Sequence, residues 1–177
     1  MAEEGNIISD LNLNEGANGA DNEPTAGVVS QYIKDLSVEN PNAPKCFNWQ
    51  ETPQIDIQFN IAAAPFEGDL HEVALKIEAT AKAESGTLYA VDLTYCALVG
   101  MRNLEDAQAH AFLYAEAPRI LFPFARRVIA DAVRDAGFAP LMLDPIDFNG
   151  LYMQQLAASQ QGQGAAGEGD MPGGAAN

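Results

Sequence analysis

Residues 71–95 read HEVALKIEATAKAESGTLYAVDLTY, and this stretch decides the fold. His71, Val73, Leu75, Ile77, Ala79 and Ala81 alternate with mostly polar or charged residues. After Glu84-Ser85-Gly86 the alternation resumes with Tyr89, Val91, Leu93 and Tyr95. Successive side chains of a strand point to opposite faces, so each run reads as a strand with one buried face. The buried positions are odd-numbered on both sides of the turn. Cross-strand partners share a face, so partner numbers must sum to an even value. A two-residue turn at Ser85-Gly86 breaks that parity. A three-residue loop, Glu84-Ser85-Gly86, keeps it and puts glycine where a left-handed conformation is wanted. It would pair Ala81 with Tyr89 and Ala79 with Val91.

Working outward, QIDIQFNIA (54–62) carries Ile55, Ile57, Phe59 and Ile61 in the same alternation. A weaker strand over 31–39 has Tyr32, Leu36 and Val38. Clean alternation argues for antiparallel pairing with one covered face. From residue 103 the period changes. Asn103 is placed to cap a helix over 104–116, which the restriction that Pro118 imposes on Ala117 should end. A second helix is expected from Pro123 to Ala136, with Phe124, Ala125, Val128, Ile129 and Val133 as its apolar stripe and Gly137 just past its end. The run APRILFPFARR (117–127) then reads as a proline-punctuated turn, with Ile120, Leu121 and Phe122 packing the junction. A third, short helix follows Asp147 or Asn149 and carries Leu151, Tyr152 and Leu156. The fold class is α+β, a four-stranded antiparallel sheet with helices packed on one side.

Charge narrows the possible partners. There are 25 acidic against 9 basic residues, a net charge of -16. Such a chain repels phosphate backbones and anionic membranes, so neither nucleic acid nor direct membrane insertion is expected. A basic partner is favoured. Residues 1–30 hold acids and no Lys or Arg, and read as a disordered acidic N-terminal arm. Residues 157–177 read as a flexible Gly/Ala/Gln-rich tail. The domain between them, 31–156, has 17 acids against all 9 bases, hence a net of -8. Cys46 and Cys96 are too few for a disulfide framework and fit a reducing compartment. With no apolar run long enough to span a bilayer and no basic leader, the expected location is cytoplasmic.

Motifs for catalysis are missing: the sequence has no P-loop, Rossmann fingerprint, CxxC pair or HExxH. Cys96 and His110 can be drawn as nucleophile and base, and His71 and His110 with a cysteine as metal ligands, but neither spacing is specific. No enzymatic activity, cofactor or metal is expected. Two other features stand out. Asp35 and Glu39 are two strand pitches apart on one face, and Asp92 lies opposite the Val91/Leu93 face. Neighbouring strands would gather them into an acidic plate, although a solvated sheet face has the same pattern. There is also surplus apolar surface. Leu88, Ala90, Cys96 and Leu98 lie on one parity of 88–101, and Ala97, Val99 and Met101 on the other. Phe47, Trp49, Phe66, Leu121 and Phe122 add to it. An ordinary core, subunit packing or an apolar groove would each account for these residues.

Four stretches carry a resemblance: YIKDLSVENPNAP (32–44), the strand block 71–95, EAPRILFPFAR (116–126) and LDPIDFNGLYMQQL (143–156). Across 31–156 the chain resembles the bacterial protein-export chaperone family SecB. The resemblance implies a homotetramer built as a dimer of dimers. It also implies a chaperone that uses no ATP, holds unfolded secretory and outer-membrane precursor proteins, and delivers them to the SecA ATPase. The family's SecA-docking acids match Asp35, Glu39 and Asp92, and its docking leucine matches Ala90. The implied contact is the basic, zinc-carrying C-terminal tail of SecA, whose zinc belongs to SecA. Client binding in the family uses long apolar grooves, for which Phe47, Trp49, Leu98, Val99, Leu121 and Phe122 are the candidates here. Two positions depart from the family's pattern. The loop tryptophan, Trp49, sits two places before its usual position, which is Glu51, and a glycine pair is replaced by Cys96-Ala97. The competing expectation is an acidic oligomeric adaptor for a basic protein that ignores unfolded clients.

Overall fold

A computed structural model describes residues 22–164. The alternating runs form one antiparallel sheet in the order β1-β4-β3-β2. The strands are β1 (Thr25–Glu39), β2 (Gln54–Pro65), β3 (Leu70–Ala83) and β4 (Gly86–Arg102). The odd-numbered residues of β2, β3 and, from Tyr89 on, β4 face a helical layer, as the alternation requires. Val73, Leu75, Ile77, Leu93 and Val99 are buried there against Leu121, Ile129 and Val133.

The hairpin has the expected pairs, Ala81 with Tyr89 and Ala79 with Val91. Its tip differs. Lys82 pairs with Thr87 and Ala83 with Gly86, so the turn is Glu84-Ser85. Leu88 is then the extra residue, and this bulge restores the parity that a two-residue turn would break. Gly86 has φ +142°, which other residues rarely adopt.

Strand β1 extends well before residue 31. Residues 25–30, expected in the acidic arm, pair with the far end of β4, from Thr25 beside Arg102 to Ser30 beside Leu98. Register shifts at Val29 and Lys34 interrupt the alternation, which is why the sequence showed only a weak strand. Residues 1–21 of that arm lie outside the described residues.

The helical half corrects two expectations. Glu105, not Asn103, caps α1 (Asp106–Ala111) in a reciprocal box with Gln108, while Asn103 takes φ +54°. Pro118 and Pro123 do not punctuate a turn. A π-helical turn, Phe112–Glu116, leads directly into α2 (Ala117–Asp135). The widened turn stands where Pro118 would otherwise crowd the preceding turn. Pro123 lies inside α2, on its exposed side beside Arg119, so the lost backbone bond falls toward water. Burial of Ala117, Pro118, Leu121 and Phe122 outweighs the local preference to break. Gly137 ends α2 with φ +94°. Its N–H bonds the Arg134 carbonyl at 3.0 Å, and the Phe138 N–H bonds that of Val133 at 3.3 Å.

Helix α3 (Phe148–Gly164) is capped by Asp147, whose Oδ1 accepts the Gly150 N–H at 2.9 Å. It continues through the start of the expected tail. Residues 165–177 lie outside the described residues. The ENPNAP segment ties the layers together. Asn40 Nδ2 donates to the Ala136 carbonyl at 2.9 Å, and Asn42 Nδ2 to the Thr87 carbonyl at 2.8 Å. Among the described residues, no helix is long and apolar enough to cross a membrane.

Candidate functional site

Strand register alone builds the acidic plate. Glu39 lies beside Ala90, Ser37 beside Asp92, and Asp35 beside Thr94. Residues paired across strands share a face, so Asp35, Glu39, Ala90 and Asp92 meet on the sheet face that no helix covers. Strand β3 continues the rows with Thr80 beside Ala90, Glu78 beside Asp92, and Lys76 beside Thr94. Asp56 of β2 follows beside Thr80. Lys76 sits among these carboxylates, its Nζ 2.6 Å from Glu78 and 3.1 Å from Asp92. Those two acids, Glu78 first, raise the Lys76 pKa. Ala90 leaves the middle of the plate shallow.

The other half of the open face is held by a clamp. Glu72 accepts a hydrogen bond from Lys34 Nζ at 2.6 Å and another from the Tyr32 hydroxyl. The Lys34 bond, then the Tyr32 bond, holds the Glu72 carboxyl below its ordinary range. Tyr32 is pushed up to about 12, first by its bond to Glu72. Cys96, beside Tyr32 on the same face, is fully buried, and burial pushes its thiol up to about 11. His110 belongs to the helical layer, across the sheet from Cys96, with Nδ1 2.8 Å from the Tyr152 hydroxyl. Cys96 and His110 therefore form no nucleophile–base pair. His71 lies on the covered face beside Val99 and Pro65. Among the described residues, no three His, Cys, Asp or Glu side chains cluster to hold a metal.

The surplus apolar surface divides. Leu36 and Val38, each 40% exposed, and Ile33 project from edge strand β1 on the helix side, where the helical layer covers them only in part. Ile55 is likewise exposed on β2, while Phe59, though well exposed, keeps one edge against Phe122 of the helical layer. Among the groove candidates, Phe47 is 49% exposed, with its ring 5.4 Å from that of Phe138. Trp49 packs half-buried beside the hairpin glycine, and Glu51 accepts hydrogen bonds from Ser85 at the same tip. Leu98 is half-buried on the open face. Val99 and Leu121 are completely buried and offer a partner no surface, which corrects the expectation for both. Phe122 is buried between Phe59 and Phe148, at centroid distances of 6.3 Å and 5.6 Å. It shapes the layer rather than lining it.

Two adjoining clefts lie where α3 meets the π-helical turn and β2. One, of about 370 Å³, is lined by His110, Tyr114, Tyr152 and Leu156. The other, of about 220 Å³, is lined by Phe59, Tyr114, Phe148, Leu151 and Tyr152. The sequence offered Leu151 and Tyr152 only as a short helix's stripe. Their neighbours come from elements distant in sequence.

Comparison with known proteins agrees with this geometry. The family profile described as Preprotein translocase subunit SecB matches residues 19–159. Among curated relatives, a protein-export protein SecB of Novosphingobium aromaticivorans is 63% identical over 162 residues, 90% of this chain and 94% of that one. Another, from Erythrobacter litoralis, is 63% identical over 172 residues, 95% and 97% of the two chains. A solved Mycobacterium tuberculosis SecB-like chaperone, in complex with an antitoxin's ChAD peptide, shares the fold. Its TM-score is 0.58 at 17% identity, over 68% of this chain and 90% of that one. The chain belongs to the SecB family of protein-export chaperones, which are not enzymes.

Proposed function

We propose that this chaperone works in the cytoplasm without ATP, holding unfolded secretory and outer-membrane precursors and delivering them to the SecA motor. The observation that carries this reading is the separation of two surfaces on one small sheet. An acidic plate occupies the open face, and apolar flanks remain uncovered on the helix side. Asp35, Glu39 and Asp92 are the docking carboxylates for the basic, zinc-carrying tail of SecA, with Ala90 as a shallow contact between them. Steering by such a plate raises encounter rates and weakens with salt.

Clients are held through apolar burial along Phe47, Phe59 and the clefts beneath α3, with Trp49 at the border; Leu98, on the open face, lies apart from this path. Burying about 1,000 Å² of apolar surface is worth on the order of 25 kcal/mol before entropy costs. Ordering the client consumes most of that, so binding is tight yet reversible. The β1 edge supports a homotetramer built as a dimer of dimers. It carries Ile33, Leu36 and Val38 exposed, and its backbone pairs with β4 alone among the described strands. Such an edge is ordinarily covered.

Light scattering with a reduced precursor tests the reading. A mass near four chains, shifted by the unfolded precursor and not by its folded form, is expected. Equal response to both forms would sink the holdase. Asp35→Asn, Glu39→Gln and Asp92→Asn together should weaken SecA binding roughly tenfold or more and flatten its salt dependence, with client binding retained. Unchanged SecA affinity in calorimetry would remove the docking assignment.

A further inference from the structure

We infer that the Lys34–Glu72–Tyr32 clamp is a positioning device that sets which face of β1 carries the docking carboxylates. The inference rests on the docking role proposed for Asp35 and Glu39. Its origin is the register. Ile33 pairs with Tyr95 on the helix side, yet Asp35, two residues on, pairs with Thr94 on the open face. Ordinary alternation would return Asp35 to the helix side. Lys34 is the extra residue that prevents this, and every residue from Asp35 to Glu39 inherits the switch. Without the bulge, Asp35 and Glu39 would turn away from Asp92, and Leu36 and Val38 would take their places on the open face.

Burial alone pins this register weakly, because Leu36 and Val38 stay well exposed even where they are. The clamp supplies the missing constraint. Lys34 reaches across β4 to Glu72 of β3 at 2.6 Å, and Tyr32 bonds the same carboxylate. The bulge residue and Tyr32, two positions before it, are thereby both tied to a strand two places away. Binding sites work only when supporting contacts hold their groups in place.

The variants Lys34→Met and Tyr32→Phe test this with a sign that simple charge cannot reproduce. Removing the Lys34 cation makes the surroundings of the plate more negative, so electrostatics alone predicts tighter binding of a basic tail. Tyr32→Phe changes no charge, and electrostatics predicts no effect. The clamp predicts weaker SecA-tail binding in both, by roughly threefold to tenfold for Lys34→Met. Lys34→Arg should rescue it, and unfolded-client binding should stay at the native level. Amide hydrogen exchange provides a readout that does not depend on docking: those amides of Asp35–Glu39 that bond β4 should lose protection while those of β3 keep theirs. Equal or tighter tail binding by Lys34→Met, or unchanged protection of those β4-bonded amides, would overturn the clamp. Failure of the native chain itself to bind the tail would instead overturn the docking role and leave the exchange result to decide the clamp.

Discussion

The two faces of the sheet are built from the same strands and held by different physics. On the helix side, Leu75, Ile77, Leu93 and Val99 have no exposed surface, and burial fixes them. On the open side, Ala74, Lys76, Thr94 and Glu78 stay half-buried, and polar contacts across strands, Lys76 to Asp92 and Lys34 to Glu72, do the holding. A covered face specifies register strongly, because one slip would expose its whole apolar set. An open face specifies it weakly and needs devices such as the Lys34 bulge. The difference teaches where substitutions should hurt the fold and where they should touch only recognition.

The largest expected effect breaks the covered face. Leu93→Ala should lose about 2–5 kcal/mol of stability in chemical denaturation, from lost burial and the cavity left behind. Its neighbour Thr94→Ala, on the open face, should change stability by about 0.5 kcal/mol or less. Similar losses from both, at one protein concentration, would mean that a partner surface covers the open face as thoroughly as the helices cover the other.

A smaller effect sharpens the comparison with two glycines. Gly137 has φ +94°, and a Cβ there would stand 3.0 Å from the Phe47 ring. Gly137→Ala should therefore cost about 1–3 kcal/mol and shift Phe47. Gly27, on the open face of β1, has no heavy atom within 4 Å of an added Cβ. Gly27→Ala should stay within about 0.5 kcal/mol of the native chain. A thermal melt of each variant separates the two cases, and a neutral Gly137→Ala would show that the end of α2 can rearrange freely.

Legibility followed the same division. The odd-numbered strand residues announced the covered face, because period-two alternation records burial directly. The pairing of Ala81 with Tyr89 followed from parity, whereas the bulge at Leu88 did not, since a two-residue turn plus a bulge satisfies the same sum as a three-residue loop. The start of β1 was obscured by its shifts at Val29 and Lys34. Pro118 and Pro123 misled because local preference carries no information about the burial that overrides it. At the site, Asp35, Glu39 and Asp92 could be placed on a common face once β1 and β4 were neighbours. Val99 and Leu121 could not be sorted from exposed apolar residues, since composition does not say which hydrophobes a helix will cover.

The smallest expected effect is the pH response of the open face. Lys34, and after it Tyr32, holds Glu72 below the ordinary glutamate value of 4.5. A carboxyl depressed in the folded state takes up protons more readily when unfolded. Its contribution to stability is thus present above 4.5 and is lost as pH falls through the folded value. Tyr32 runs the other way, raised from 10.0 to about 12, so its contribution is complete below pH 10.0 and lost as pH rises through about 12. The clamp should be closed across the neutral range and open at both extremes. In an NMR titration, resonances of Tyr32, Lys34 and Asp35 should move together as pH drops below 4.5, while the methyls of Leu93 and Ile77 stay fixed. Exposure to solvent keeps the energetic effect small. Movement of the Leu93 methyls in step with Tyr32 would show that acid loosens the whole sheet, and that the two faces are one cooperative unit rather than two separately held surfaces.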